Sequence, residues 1–321
     1  MTTTPPVLAD APVLAHVVRG GFVESAHRGS AVVTRPDGTP ELVLGDAAGP
    51  VFPRSSNKPV QALAMVRHGL DLEPQLLALA CSSHSGEDFH LAGVERILAG
   101  AGLGTGDLQN TPDYPYDEVA RRQWLREGRS PSSIAQNCSG KHAAMLATCV
   151  VRGWDIQGYR DPRHPLQQAM AETLEDLAGE RVAATAVDGC GAPVMAISLT
   201  GLARAFGRLA AATGGPEQRI ADAIRSHPDY LGGSRRDVTT LVRDTPGLVA
   251  KDGAEAVYAV GLADGRGVAL KVADGGQRAR PVILAALLRR VGVESPALGQ
   301  LAEAPVLGHG EPVGAVVAVG V

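Results

Sequence analysis

The hydrophobic period of this chain changes twice, and each change restricts how it can fold. Residues 14–46 alternate apolar and polar positions around the turn Arg35-Pro36-Asp37-Gly38, so 29–34 and 41–44 read as the arms of a hairpin. From about residue 55 to residue 230 the apolar spacing becomes three and four, and 59–68, 91–101, 118–126, 141–152, 165–177 and 216–226 each read as helix. After Lys251 the strand pattern returns over 256–262 and 268–272, followed by a helix over 280–291 and a last strand over 313–321. No repeat, low-complexity tract or linker separates these blocks. The pattern predicts an α/β fold, one domain over 1–321. Its central antiparallel sheet is built from both chain ends (about 10–54 and 235–321) and carries an inserted helical lobe (about 55–234).

With 321 residues and 45% apolar content, the chain can bury a full core. A net charge of -4 and 3% aromatic residues offer neither a basic stripe nor a stacking platform, which argues against a nucleic-acid partner and for a small neutral or zwitterionic ligand. The opening Met1-Thr2-Thr3-Thr4-Pro5-Pro6 lacks a basic stretch followed by an apolar one, and no window approaches the length of a membrane span. The expected location is therefore the cytoplasm, without a membrane partner, and Cys81, Cys138, Cys149 and Cys190 are expected to be reduced there.

Four of the 30 basic residues are lysines, and three of the four, Lys58, Lys141 and Lys251, lie in motifs that read as chemistry. A guanidinium keeps its proton in a protein, whereas a buried amine can become neutral and act as a base or a ligand. Lys271, in an alternating stretch, reads as an ordinary strand residue facing solvent. Ser55-x-x-Lys58 is followed by Pro59, which a helix accepts in its first turn, so hydroxyl and amine fall on one helical face. The positive potential of a helix start disfavours the ammonium and favours a developing alkoxide. The plainer reading is a serine cap and a surface lysine. Lys251-Asp252-Gly253 lies just before a strand, and an early Ser-x-x-Lys with a late Lys-x-Gly is the order found in penicilloyl serine enzymes. On its own it is a polar turn.

In Cys81-Ser82-Ser83-His84-Ser85-Gly86-Glu87-Asp88, Ser85-x-x-Asp88 reads as a capping box, which leaves Ser83 free to point into a cleft. Asn137-Cys138-Ser139-Gly140-Lys141-His142 and Asp188-Gly189-Cys190-Gly191 set two cysteines on glycine-flanked turns. Cys138, Lys141 and Cys190, with a water, make four ligands, although buried inert cysteine is the plainer reading of both thiols. Cys149, inside an apolar helix, reads as core.

Taken together, Pro53-Arg54-Ser55-x-x-Lys58-Pro59, Cys81-x-Ser83-His84-Ser85, Asn137-Cys138-Ser139-Gly140-Lys141-His142, Asp188-Gly189-Cys190 and Lys251-x-Gly253-Ala254 resemble the rhizobial-type L-asparaginases, the asparaginase II family, in order along nearly the whole chain. That resemblance implies a fold similar to serine β-lactamases and glutaminases. It implies a nucleophilic Ser55 paired with Lys58, a second pair of Ser83 with Lys251, and a modulatory zinc at Cys138, Lys141 and Cys190. It also implies that Arg54, Asp188 and His142 line the cleft, with Asp188 assigned to the substrate ammonium and Arg54 to its carboxylate. The expected reaction is hydrolysis of L-asparagine to L-aspartate and ammonia, and the expected assembly is a homodimer. A glutaminase, a β-lactamase or transpeptidase-like hydrolase and a zinc-binding structural or regulatory protein are the alternatives.

Overall fold

A computed structural model of the chain describes Leu8 and residues 11–321. The first alternating stretch folds as β1 (Val13–Arg19), β2 (Phe22–Thr34) and β3 (Pro40–Leu44), followed by the short β4 (Pro50–Val51). Helices α1 (Lys58–Arg67), α2 (Pro74–Ala80), α3 (Asp88–Gly100), α4 (Glu118–Arg126), α5 (Ser139–Arg152) and α6 (Pro165–Ala178) come next. A strand pair, β5 (Ala184–Val187) and β6 (Pro193–Ser198), then interrupts the helices. It is followed by α7 (Leu199–Ala210), α8 (Gly215–Ser226), α9 (Pro228–Leu231) and α10 (Asp237–Asp244). The chain continues through β7 (Val249–Asp252), β8 (Val257–Gly261), β9 (Gly267–Val272), α11 (Arg280–Arg290), α12 (Pro296–Leu301), β10 (Ala304–Gly308) and β11 (Glu311–Ala318).

Among the described residues, β10-β11-β1-β2-β9-β8-β7 form one antiparallel sheet, with β3 added to β2. β1 lies between β2 and the last strand, with Ala15 opposite Ala318, and the second half of β2 pairs with β9, with Gly29 opposite Val272. The fold is thus mixed α/β with an antiparallel sheet drawn from both ends of the chain, as the sequence pattern predicts.

The central strands β8 and β9 are buried at nearly every position because helices cover both faces. On one face α7 lies so close that a β-carbon on Gly267 would collide with the Ala203 carbonyl. On the other, Tyr258 carries the guanidinium of Arg280, the first residue of α11, at 5.0 Å from its ring centroid. The edge strand β10 shows the alternation of half-buried and exposed residues expected where one face is wet.

Two features depart from the sequence reading. The block expected to be helical contains β5 and β6, which join β4 in a separate three-stranded sheet. Pro193-Val-Met-Ala-Ile-Ser198 is buried throughout, and a short apolar run of that kind has no period to tell strand from helix. The capping box of α3 is Glu87 with His90, not Ser85 with Asp88. Gly86 turns the chain with φ 79°, and Ser85 Oγ instead donates to the Gly232 carbonyl at 3.0 Å.

Candidate active site

A 3-10 turn, Arg54–Asn57, leads into α1, and Pro59 occupies the first helical turn, where its missing N–H removes no bond. Arg54 has φ 53°, a left-handed backbone uncommon for a residue with a β-carbon, directly before Ser55. Such strain persists only where the surroundings enforce it. Ser56 Oγ donates to the Pro53 carbonyl at 2.7 Å, and Gly253, just past β7, presses against the turn. A β-carbon on Gly253 would stand 2.7 Å from the Pro53 carbonyl oxygen and 3.1 Å from the Ser56 nitrogen. The glycine of Lys251-Asp252-Gly253 therefore lets the two lysine motifs touch. Ser55 is left half-buried, with no hydrogen bond to its hydroxyl among the described residues.

Ser83 reaches the same place from the loop after α2. His84 N donates to the Asn137 carbonyl at 3.0 Å, and His84 Nε2 lies 2.8 Å from Ser139 Oγ. Because Nδ1 accepts from Gly86 N at 3.1 Å, the imidazole donates through Nε2. Burial holds its pKa well below the usual histidine value, so this neutral ring ties the Ser83 loop to the Cys138 turn.

All three motif lysines are buried: Lys58 is 1%, Lys141 2% and Lys251 0% exposed. Lys58 Nζ donates to the Ser82 carbonyl (2.6 Å), Ser83 Oγ (3.1 Å) and Cys138 Sγ (3.1 Å). Lys251 Nζ donates to the carbonyl (2.7 Å) and Oδ1 (2.6 Å) of Asp252. Burial lowers the Lys251 pKa to about 8, opposed by Asp252 and assisted by the charge of Lys58. The hydrogen bonds thus join Lys58 to Ser83, and neither Ser55 with Lys58 nor Ser83 with Lys251 forms a hydrogen-bonded pair here. A buried amine must place its N–H donors, and Ser82, Ser83 and Cys138 supply acceptors while the Ser55 hydroxyl opens outward. Lys271 is half-buried and donates to the Glu255 carbonyl at 2.9 Å.

Ser55 and Ser83 line one narrow cleft of about 70 Å³, together with Asn137, Asp252, Tyr116, Arg236 and Arg280. The last three carry no motif in the sequence. Arg236 lies in a polar turn ahead of α10 and Arg280 opens a helix, so only the tertiary structure brings them to the cleft.

Behind it, Cys138 precedes α5 and Lys141 sits in the first turn of that helix, three residues on and so on the same face. The missed β5–β6 hairpin supplies Cys190 from its loop. Cys138 Sγ accepts from Lys58 Nζ and donates to Asn137 Oδ1, both at 3.1 Å, and Cys190 lies beside it. The hydrogen bond between the two cysteines, with burial, pushes the Cys138 thiol up to about 12, and the same bond, followed by the Lys141 charge, lowers Cys190 to about 4 against burial. Lys141 Nζ is 3.3 Å from Cys190 Sγ; burial acts against its charge, but the two cysteines raise its pKa. Among the described residues no three His, Cys, Asp or Glu side chains form a metal cluster, so a metal here depends on the lysine amine.

Arg54 and Asp188 are bonded to each other, with Nε and Nη2 each 2.7 Å from Oδ1. Arg54 lines a neighbouring groove with Glu255 and Lys271, apart from the cleft that holds Ser55. His142 is fully buried; its Nδ1 meets the Tyr159 hydroxyl at 2.7 Å and its Nε2 has no partner. These three residues lie outside the residues that line the serine cleft.

Paired hydroxyls backed by buried amines, inside an α/β fold, define a hydrolase-type site. The chain matches the L-asparaginase II family model over residues 15–318, and it belongs to that family. Membership supports asparaginase activity. No curated protein matches the chain. Among solved structures it is similar to a β-lactamase from Mycobacterium bovis, at 17% identity and a TM-score of 0.46, covering 88% of this chain and 97% of that one. It is also similar to a probable glutaminase from Bacillus subtilis complexed with 6-diazo-5-oxo-L-norleucine, at 12% identity and a TM-score of 0.36, covering 90% and 92%. Likenesses at this level say nothing about activity.

Proposed function

We propose that the protein hydrolyses L-asparagine to L-aspartate and ammonia through an acyl-enzyme. The observation that carries the reading is that Ser55 and Ser83 line one cleft, with the buried Lys58 bonded to Ser83 and the buried Lys251 bonded to Asp252 of the same cleft. Ser55, whose hydroxyl is free toward the cleft, attacks the side-chain amide carbon, and its proton passes to the Ser83–Lys58 pair. The carbon–nitrogen bond breaks, the departing nitrogen takes a proton from the amines and leaves as ammonia. Water then cleaves the aspartyl ester and regenerates Ser55. Lys251, with its pKa depressed to about 8, can release and regain a proton near that pH.

Cys138, Cys190 and Lys141 fit a zinc ion by their donor set: two neighbouring sulfurs and, 3.3 Å from Cys190, an amine that must lose, on binding the ion, the proton that the cysteines favour. A bound zinc would supply Lewis acidity beside the cleft, and these three residues would hold it. Zinc content measured on protein prepared without chelators should be about one per chain and should be lost in Cys190→Ala. Absence of metal from the parent protein would reject this part.

The test of the reading is ammonia release by purified protein from asparagine and glutamine. Asparagine is expected to be favoured by more than about 100-fold in kcat/KM, because glutamine's extra methylene displaces its amide carbon from Ser55 when the amino-acid head is fixed. Comparable efficiencies would move the assignment to a general amidohydrolase, and no ammonia from either would reject it.

A further inference from the structure

We propose that Arg236 and Arg280 form the carboxylate-binding end of the cleft, so that its substrates are amides carrying a carboxylate beside the reacting centre. The inference rests on the amidohydrolase reading above and deepens it. Both guanidiniums line the cleft that contains Ser55 and Ser83. Both are withdrawn from water, with side chains 14% and 7% exposed, and their planes are fixed. Arg236 lies 4.6 Å over the Tyr116 ring and pairs with Asp252. Arg280 donates to Gln277 Oε1 (2.6 Å), the Gly253 carbonyl (3.2 Å) and Asp237 (3.0 Å).

Their donors are not used up. A guanidinium has five N–H groups in a planar fork. Arg280 Nε is buried without a partner, and Arg236 Nε has no described hydrogen bond. An unsatisfied donor on a charged group costs stability, and an arginine lining the cleft with donors to spare can give them to an anionic ligand. The charges lean the same way. Asp252 and Asp237 face Arg236, Arg280 and Lys251, with Lys58 close enough to act on Lys251, so cations exceed anions while a lysine is protonated. A guanidinium also keeps its charge across the pH range in which the lysines exchange protons. An anchor of that kind holds the substrate independently of the titrating bases. Arg54, the other candidate for this role, lines the neighbouring groove and not the cleft that holds the two serines.

The experiment compares asparagine with 3-aminopropanamide, which keeps the amide and the amine but lacks the carboxylate, in the parent enzyme, Arg236→Gln and Arg236→Lys. The parent should prefer asparagine by at least about 100-fold in kcat/KM, in line with charge-assisted bonds lost from a desolvated site. In Arg236→Gln that preference should fall at least about tenfold, mainly through KM for asparagine, with partial recovery in Arg236→Lys. An equal loss on both substrates would show that Arg236 serves only to hold Asp252, and equal use of both substrates by the parent would remove the anchor altogether. Calorimetric binding of L-aspartate separates this idea from the reaction itself. Binding by the parent that is weakened in both variants supports the anchor even if no ammonia is released, and no binding by the parent overturns it. Melting curves for each variant establish that the compared proteins are folded.

Discussion

Three of the four lysines of this chain stand in motifs, and all three are buried within reach of sulfur, hydroxyl or carboxylate. Replacing Lys58 by arginine keeps the charge but removes the only form that can accept a proton. Turnover on asparagine should fall by about 10²–10⁴-fold while the melting curve stays cooperative, and Ser55→Ala should fall at least as far. Near-parent turnover in Lys58→Arg would end the role given to it. The Lys251 pKa of about 8 lies below the ~10.4 of a free lysine, so the folded protein binds fewer protons than the unfolded chain between these values. Stability should rise from about pH 8 towards ~10.4, and kcat/KM, which needs an unprotonated amine, should rise with pH as well. A rate optimum below about pH 6 would contradict a lysine base. Residue type and spacing made Ser55, Lys58, Ser83 and Lys251 legible in the sequence. The partners were not legible, because which amine meets which hydroxyl depends on where a buried ammonium finds its acceptors, and the acceptors of Lys58 come from two loops distant in the chain.

At the scale of elements, the site is a set of contacts between loops that rigid strands and helices hold in place. Helices α4, α5 and α6 were readable almost to the residue, since each shows helical period and is bounded by a clear signal: Asp117 caps the start of α4, and glycines in left-handed conformation close α5 and α6. The β5–β6 hairpin was unreadable for lack of period, and it is the element that delivers Asp188 and Cys190. Arg236 and Arg280 were invisible for a different reason, since an arginine on a helix start looks like any surface charge until the fold closes over it. The contact between β7 and the Ser55 turn depends on one missing methyl group. Gly253→Ala would push strand and turn apart, at a cost of about 1–3 kcal/mol for overpacking. The expected outcome is a lower melting temperature together with a larger loss in kcat than any decline in folded fraction explains. A variant with parent activity would show that the turn tolerates the shift.

Across the whole molecule, the helical block and the strands after it must both be present before the cleft exists, because Ser55, Lys58 and Ser83 come from the start of that block and Lys251 from the strand that follows it. Among the described residues no helix is long and apolar enough to cross a membrane. The pairing of β1 with β11 has a kinetic consequence. A ribosome releases β1 and β2 ahead of the helical block, yet β9 and β11, which must flank them, emerge only after that whole block has been made. Local helices can form in the meantime, while the early strands wait with open edges. High contact order of this kind slows folding and leaves the waiting edges prone to misassembly. Refolding from denaturant should therefore show helical circular dichroism recovering well before ammonia-releasing activity, with the lag unchanged by dilution if it reflects strand closure within one chain.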